Sequence, residues 1–368
     1  PMTQNQLIDD DSLGTNGEDL GSVIIINSQE RICIEPQIFG FTITGGGTSS
    51  SIEYGGGIYI TNSNSSFTGC SIRNNLASGR VYSDQGYYTF PYGGGMFITG
   101  SSSIAIDSSY ISDNQVYGYD AHGDNDSRAY MRGGGIYLES GVLTLTNSEL
   151  SNNLNSGDGQ ELTREGAGLY VAGGTVNISY TLIDHNSGAQ GVFNRGTVAI
   201  DQSVIANNGA QGLYREEGSM SVSNAIIWGN SSNDGGGITY SYTNRQGSAP
   251  SGDGNITKDP WFVDSGSRDY RLLPGSVCID AGDPNLTDAD GTRRDMGRYI
   301  YYQPYLGPTW HVSVNGDDAG GDGSAENPFS TILAGINTAL EGHTVLVGPG
   351  TYTGEGNRDI YFNGKGIT

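Results

Sequence analysis

A short pattern, an apolar residue followed three positions later by asparagine, recurs six times in this chain and constrains its fold more than any other feature. The six pairs are Ile72 with Asn75, Ile111 with Asn114, Leu150 with Asn153, Ile183 with Asn186, Ile205 with Asn208, and Ile227 with Asn230. Successive asparagines lie 39, 39, 33, 22 and 22 residues apart. Such self-similarity is typical of a solenoid, in which each repeat packs only on its neighbours.

Each pair follows a short apolar strand that begins with glycine. The first four copies read GGGIYI (55–60), GGGMFI (93–98), GGGIYL (133–138) and GAGLYV (166–171), and the last two weaken to GVFNR (191–195) and GLYRE (212–216). A base spacing of 22 residues suits one coil of a parallel β-helix, whose strands stack about 4.8 Å apart. The longer spacings correspond to the same coil with an inserted loop, so we predict an all-β solenoid.

The repeated asparagines are predicted to have a structural role. A turn residue at the same place in every coil can hydrogen-bond to its equivalents above and below. We therefore expect a ladder formed by Asn75, Asn114, Asn153, Asn186, Asn208 and Asn230. The glycines that precede the strands indicate corners with positive φ or close backbone approach.

The charge balance limits the partners of this chain. With 40 acidic and 17 basic residues, its net charge of −23 repels nucleic acid and anionic lipid at long range, whereas cations, calcium above all, are favoured. No apolar run reaches the roughly 18 residues typical of a membrane helix, so we expect no membrane insertion. Three cysteines, Cys33, Cys70 and Cys278, are too few for a disulfide framework.

The motif GGGIYI followed by T-x-x-x-S-x-I-x-x-N resembles the right-handed parallel β-helix proteins of the pectate-lyase-like superfamily. It is most similar to the repeat-rich bacterial surface branch related to polymorphic outer-membrane proteins. Two further segments resemble the elements that close and open such helices, DPWFVDSGSRDYRLLPGSVCIDAGDPNLTDADGTRRDMG (259–297) and WHVSVNGDDAGGDGSAENPFSTILAGINTALEGHTVLVGPGTYTG (310–354). The resemblance covers nearly the whole chain and implies a right-handed solenoid at the bacterial surface or outside the cell.

On this basis the chain divides into a β-helix body (1–250), a closing segment (251–308) and the opening segment of a following β-helix (309–368). The opening segment contains the one confidently amphipathic stretch, predicted as a short capping helix over 328–340, with Asn327 as its N-cap and Pro328 at its first position. The apolar residues that would plug the following coil are Phe329, Ile332, Leu333, Ile336 and Leu340.

Strand-like residues at 22–27 and 39–44 come early in the chain without such a cap, and an uncapped coil exposes strand edges and apolar core. We therefore expect units to join head to tail into a filament, because a contact between unlike surfaces that does not close can repeat indefinitely. The following unit is either a second copy of the chain or the next stretch of a tandem polypeptide. Alternatively, the chain is a fragment of a multidomain surface protein.

The loops inserted before the glycine strands are rich in tyrosine. Because they interrupt equivalent points of neighbouring coils, we expect them on one edge of the solenoid. A lateral patch that stacks on carbohydrate or anchors a protein, as in an adhesin, is one interpretation, and packing of these rings onto the coils is the other. The tyrosines concerned are Tyr82, Tyr87, Tyr88, Tyr92, Tyr117, Tyr119 and Tyr130.

An aspartate-rich segment is a candidate calcium site, comprising Asp280, Asp283, Asp288, Asp290 and Asp295. Its D-A-D-G stretch (288–291) alternates oxygen ligands and then turns at glycine, as calcium loops do, but the glutamate of an EF-hand loop is absent. The alternative is a solvated turn in which Asp288 or Asp290 pairs with Arg293 or Arg294.

No residue is assigned a catalytic role. Asp184 and His185 are neighbours on a predicted strand, so their side chains should point to opposite faces and form no dyad. Arg195 and Glu216 occupy equivalent positions one coil apart, where a cross-strand ion pair is expected. We therefore predict a structural rod of a surface layer, filament or adhesin. The alternative is a carbohydrate-binding or polysaccharide-cleaving β-helix protein.

Overall fold

The structure is a computed structural model that describes residues 22–27, 35–47, 54–80, 88–119, 128–158, 161–362 and 364–368. The chain forms two compact units. The first contains residues up to 284 together with 294–300, and the second contains 285–293 together with 301–368. The boundary between the units therefore falls within the aspartate-rich segment.

The first unit is a right-handed parallel β-helix with three sheets. Sheet A comprises Ile24–Asn27, Ile58–Thr61, Met96–Thr99, Ile136–Leu138, Leu169–Val171, Val192–Asn194 and Leu213–Arg215. Sheet B comprises Gln37–Phe39, Asn64–Thr68, Ser103–Asp107, Val142–Thr146, Thr175–Ser179, Thr197–Asp201, Ser219–Ser223 and Thr239–Ser241. Sheet C comprises Thr42–Ile43, Ser71–Arg73, Tyr110–Ser112, Glu149–Ser151, Leu182–Asp184, Val204–Ala206, Ile226–Trp228 and Asn244–Arg245. The predicted all-β solenoid is confirmed.

The strand register places one apolar column from each sheet inside the coils. These columns include Ile58, Met96 and Ile136 in sheet A, Phe67, Ile106 and Leu145 in sheet B, and Ile72, Ile111 and Leu150 in sheet C. All nine side chains are buried. Since burying one such side chain contributes roughly 1.5–3 kcal/mol, every added coil extends the core and its stabilisation.

The six repeated asparagines lie at the ends of the sheet C strands and are hydrogen-bonded to one another. Asn153 is typical. Its Oδ1 accepts from the backbone N–H and the Nδ2 of Asn114 at 3.1 Å each, and its Nδ2 donates to Ile111 O and Asn186 Oδ1 at 2.9 Å each. Equivalent bonds link Asn75 to Asn114 and continue to Asn230. The ladder thus satisfies backbone groups that leave the sheet at each corner.

A residue with left-handed backbone precedes each ladder asparagine. These residues are Asn74, Asp113, Asn152, His185, Asn207 and Gly229, with φ between +53° and +72°. Glycine, asparagine and aspartate tolerate this conformation, whereas other residues incur a cost of about 1–2 kcal/mol. His185 is therefore the exception in this column.

The inserted loops stack on one another as two further parallel sheets. One comprises Leu76–Arg80, Gln115–Tyr119 and Leu154–Asp158, and the other comprises Tyr88–Thr89, Arg128–Arg132 and Leu162–Glu165. Ala77, Val116, Ala129 and Met131 form a small buried cluster between them. The insertions therefore emerge together along one side of the first unit.

The chain after the last coil returns along the outside of the solenoid. Phe262–Asp264 and Asp269–Leu272 form an antiparallel hairpin around a short 3₁₀ turn, Ser265–Ser267. Farther along, the side chain of Gln202 donates from Nε2 to the carbonyls of Asp295 and Gly297 at 2.8 Å each. These hydrogen bonds hold residues 294–300 against the coils.

The second unit is a small β-α-β element. Thr309–Val312 and Thr344–Val347 pair in parallel, and helix α1, Ile332–Thr338, connects them. The α1 bounds correct the prediction of a helix over 328–340. Phe329 instead lies extended beside the first strand, where its N–H donates to His311 O and its carbonyl accepts from Ser313 N–H. Among the described residues, no helix is long and apolar enough to cross a membrane.

The capping of α1 also differs from the prediction. Thr331, not Asn327, is the N-cap, because its Oγ1 accepts from the backbone N–H of Ala334, and Pro328 lies before the helix. At the opposite end, Lys365 Nζ donates to the carbonyls of Ile336, Asn337 and Ala339 at 2.8 Å each. A cation at this end also interacts favourably with the helix dipole.

Replacing Lys365 with methionine is expected to destabilise the second unit by about 2 kcal/mol, because three carbonyl groups lose a charged donor. Hydrogen exchange of the α1 amides measures the loss and should show faster exchange there with no change in the coils. Lys258→Met removes the other lysine of the chain and is the matched control. Unchanged exchange of α1 in the Lys365 variant would contradict the capping role.

Candidate functional site

The described tyrosines of the insertions contact their own molecule. Tyr92 is 9% exposed and stacks on Tyr137 with ring centroids 4.5 Å apart. Tyr130 stacks on Phe90 at 5.4 Å, and the hydroxyl of Tyr117 donates to Asp158 Oδ2 at 2.7 Å. Tyr92 thus cannot belong to an exposed lateral patch, because neighbouring rings cover it.

The other tyrosines of the predicted patch are Tyr82, Tyr87, Tyr88 and Tyr119. Tyr82 and Tyr87 lie outside the described residues. Tyr88 and Tyr119 lie on strands of the two insertion sheets. A ligand role for the tyrosine loops stays a prediction.

A stack of aromatic rings covers the outer face of sheet A. Its members, one from each successive coil, are Tyr59, Phe97, Tyr137, Tyr170, Phe193 and Tyr214, with neighbouring centroids 5.1–5.4 Å apart. Burial raises the pKa of Tyr170 to about 12. The guanidinium of Arg132 lies 5.0 Å from the Tyr170 centroid and binds Glu165 at 2.6 Å. This face is filled by the protein's own side chains.

The most concentrated polar site of the first unit surrounds Asp184 on the outer face of sheet C. The Asp184 side chain is fully buried. Arg268 binds it with two hydrogen bonds, from Nε to Oδ2 at 2.8 Å and from Nη2 to Oδ1 at 2.9 Å. The hydroxyl of Tyr270 also donates to Oδ2 at 3.1 Å. Donors from the returning hairpin therefore bind both oxygens of the carboxylate.

A second carboxylate continues this site one coil away. Glu149 pairs with Leu182 in the register of sheet C and accepts from Arg268 at 3.3 Å and from Arg298 at 3.2 Å. Burial works against the charged form of Arg268, but its bonds to Asp184 and the nearby carboxylates raise its pKa above the ordinary value. The two arginines bridge the returning segment to successive coils.

The Asp184–His185 geometry corrects the sequence-based expectation. His185 Nδ1 lies 2.8 Å from Asp184 Oδ2, so the two side chains meet. The strand ends at Asp184, and φ of +53° at His185 breaks the alternation that would have separated them. Asp184 Oδ2 thus contacts both Arg268 and His185, and the contact orients the imidazole.

The expected cross-strand ion pair is confirmed. Arg195 Nη2 lies 3.7 Å from Glu216 Oε2 and 4.0 Å from Glu165 Oε1. These distances and the partial exposure of the side chains indicate a weak contact of about 0–1 kcal/mol.

The structure divides the five aspartates of the candidate calcium segment between the units. Asp280, Asp283 and Asp295 belong to the first unit, whereas Asp288 and Asp290 belong to the second. Asp295 Oδ1 accepts from Asp280 N–H at 2.8 Å. Arg294 Nη1 lies 3.5 Å from Asp201 Oδ2.

Asp290 is hydrogen-bonded within the second unit. Burial opposes its charged form, but bonds from Gln303 N–H and Thr292 hold its pKa below the usual range. Among the described residues, no group of three or more histidine, cysteine or acidic side chains is arranged to hold a metal ion. Calcium binding stays a prediction.

The residues predicted to form an assembly cap differ widely in exposure. Phe329 and Ile336 are buried, Ile332 and Leu333 are half-buried, and Leu340, beyond the end of α1, is 64% exposed. Phe329 packs with Trp310 and Ala339 in the core of the second unit. The exposed apolar residues of this unit include Leu346 and Val347 at the end of the second strand, together with Leu306 and Phe362 outside the strands.

Comparison with known proteins assigns this chain to no family. No protein-family model matches the sequence, and no curated protein matches it. The crystal structure of pectate lyase Pel9A is similar over 72% of this chain and 73% of that chain, with 16% identity and a TM-score of 0.38. A likeness of this extent supports no inference about function, and the relation to bacterial surface proteins stays a prediction.

Proposed function

We propose that this chain is a segment of an extracellular β-helical rod, in which the open end of the second unit is continued by a coil like the first coil of the first unit. The observation that carries the proposal is the pair of apolar strand ends, one in each unit. The continuing coil comes from a second copy of the chain or from the next stretch of a tandem polypeptide. Either source produces the same head-to-tail contact.

The first coil of the first unit is less buried than the coils that follow it. Ile24 and Ile38 are half-buried, whereas their register partners Ile58 and Phe67 are fully buried. Outward-facing Phe39 and Phe41 are 57% and 61% exposed. A coil stacked on this side would bury apolar surface and supply partners for strand edges.

In the second unit, a short segment outside the strands is hydrogen-bonded to the last strand. Residues 366–368 lie along the edge of Thr344–Val347, where Val345 N–H donates to Thr368 O and Thr368 N–H donates to His343 O. Ile367 packs against the Trp310 core. Leu346 and Val347 nevertheless remain 51% and 39% exposed, so this end has room for another coil.

The location outside the cell is part of the proposal. A net charge of −23 keeps such a rod soluble and repels it from anionic membranes. Repeat stacking provides length and stiffness without a cleft for catalysis. The combination suits a surface filament, layer or adhesin.

Replacing Val347 with aspartate is expected to abolish end-to-end association, since a charge would be buried without a partner. Val142→Asp is the matched control, because Val142 is 38% exposed against 39% for Val347 but lies on the side of the solenoid. Sedimentation and electron microscopy of the purified chain should show rods for the unaltered chain and the control, and single particles for the Val347 variant. Single particles in all three samples, or rods in all three, would contradict the proposal.

A further inference from the structure

We propose that a cleft on the outer side of sheet C in the first unit binds a neutral pyranose of a glycan. The cleft has a volume of about 420 Å³ and is lined by Trp228, Asp259, Trp261, Phe262, Ser265 and Leu273. Small-molecule sites generally fall in the range of roughly 300–1,000 Å³. The inference is independent of head-to-tail assembly, because none of the six residues belongs to the first coil or to the second unit.

Two of the three tryptophans in the chain meet in this cleft. Trp228 ends a sheet C strand and pairs in register with Ala206, whose own partner is Asp184. Ala206 is 1% exposed, and the side chain of the adjacent Asn207 donates to the hydroxyl of Tyr270 on the returning hairpin at 3.0 Å. By contrast, the third tryptophan, Trp310, is 4% exposed in the core of the second unit.

Trp261 is held in a conformation that is costly for a large side chain. Its φ is +51°, which costs about 1–2 kcal/mol for a residue other than glycine. Asp259 Oδ1 accepts from its N–H and Leu273 N–H donates to its carbonyl, both at 2.9 Å. Trp261 as a whole residue is 53% exposed. The backbone is thus fixed while the aromatic face stays accessible, and such strain is concentrated at functional sites.

The chemistry of the lining fits a sugar better than a purely apolar ligand. Indole rings offer broad apolar faces for the C–H side of a pyranose, and their N–H groups bond to hydroxyls. Within the described part of the chain, the indole N–H groups of Trp228 and Trp261 have no hydrogen-bond partner. Ser265 and Asp259 add hydroxyl and carboxylate groups at the rim.

The negative charge at this site favours binding of neutral sugars over acidic sugars. Asp259 lines the cleft, and the chain as a whole carries a net charge of −23. A uronate would therefore be repelled, whereas a neutral hexose or pentose would not. The proposed ligand class is a neutral oligosaccharide.

Calorimetric titration of the full chain with cellopentaose, xylopentaose, mannopentaose and tetragalacturonate tests the proposal. At least one neutral oligosaccharide should bind, and tetragalacturonate should bind at least about ten-fold more weakly, a difference of about 1.4 kcal/mol. Trp261→Ala should weaken binding by about ten-fold or more, and Trp261→Phe should retain most of it.

Tyr110→Ala provides the matched control, because Tyr110 is a 52% exposed aromatic residue on sheet C outside the cleft. The Tyr110→Ala variant should bind each neutral oligosaccharide with the same affinity as the unaltered chain. The proposal is overturned if no neutral oligosaccharide binds, if tetragalacturonate binds equally well, or if the Trp261 and Tyr110 variants lose affinity to the same extent. Loss of self-association in the Trp261→Ala variant, with glycan binding intact, would assign the cleft to a second copy of the chain and would also overturn it.

Discussion

Replacing Asn153 with alanine is expected to destabilise the first unit by about 3–5 kcal/mol, because it leaves several buried polar groups without partners. The backbone N–H of Asn114 and the carbonyl of Ile111 each lose a hydrogen bond to the Asn153 side chain. The bond from Asn153 Nδ2 to Asn186 Oδ1 is lost as well. Denaturant unfolding followed by circular dichroism measures the change, with hydrogen exchange to locate it.

The neighbouring residue supplies the control for this variant. Asn152 is exposed and has φ of +55°, so Asn152→Gly keeps the corner conformation and removes no ladder contact. Its unfolding free energy should stay within about 0.5 kcal/mol of that of the unaltered chain. Equal stability of the two variants would show that the ladder contributes nothing beyond the strand hydrogen bonds.

Replacing Arg268 with methionine should destabilise the first unit by about 3 kcal/mol, because the fully buried carboxylate of Asp184 would lose its charged partner. The estimate is at the lower end for buried pairs, since the Arg268 side chain is 33% exposed and solvent screens part of the interaction. Denaturant unfolding gives the magnitude. Hydrogen exchange should show that the hairpin at 262–272 loses protection first.

Two further variants separate charge pairing from simple loss of contact. Arg271→Met alters the same hairpin, but Arg271 is 68% exposed, so solvent screens its bond to Asp269 and the variant should keep nearly the stability of the unaltered chain. Combining Arg268→Met with Asp184→Leu should restore part of the lost stability, since no buried charge is left unpaired. If the double variant is less stable than the Arg268→Met variant, burial of an unpaired carboxylate does not explain the loss of stability.

The coils of the solenoid could be predicted from the sequence because the pattern that marks each coil is short and is repeated along the chain. Each inward residue, such as Ile111, stands three positions before an asparagine such as Asn114, so one correct assignment fixes every coil. Strand pairing between coils follows from the same spacing. The side-chain bonds of the asparagines are consistent with the turn chemistry that the repeat implied.

The polar site on sheet C was not predictable in this way. Arg268 meets Asp184 across 84 residues, through a return of the chain that no periodic pattern marks. His185 approaches Asp184 because it occupies a corner position that holds asparagine, aspartate or glycine in the other coils. The histidine at this position can be recognised in the sequence when the repeats are aligned on their corner residues and not on their strands.

Helix α1 shows a further limit of pattern reasoning. The apolar residues of 329–340 have helical spacing. Phe329 nevertheless lies extended and is hydrogen-bonded to the first strand of the second unit, and the helix begins only after Thr331. A tertiary contact thus overrides local preference at the first turn. The clustering of Trp228 and Trp261 likewise depends on the returning hairpin, which brings positions on separate elements together.

Sedimentation of two complementary end variants, alone and mixed, tests head-to-tail continuation most directly. Ile38→Asp alters the half-buried core of the first coil, and Val347→Asp alters the open end of the second unit. Each variant retains one intact end, so each alone should sediment as a single chain, and an equimolar mixture should form dimers and nothing longer. Mixtures that remain single chains, or either variant forming rods alone, would contradict the account.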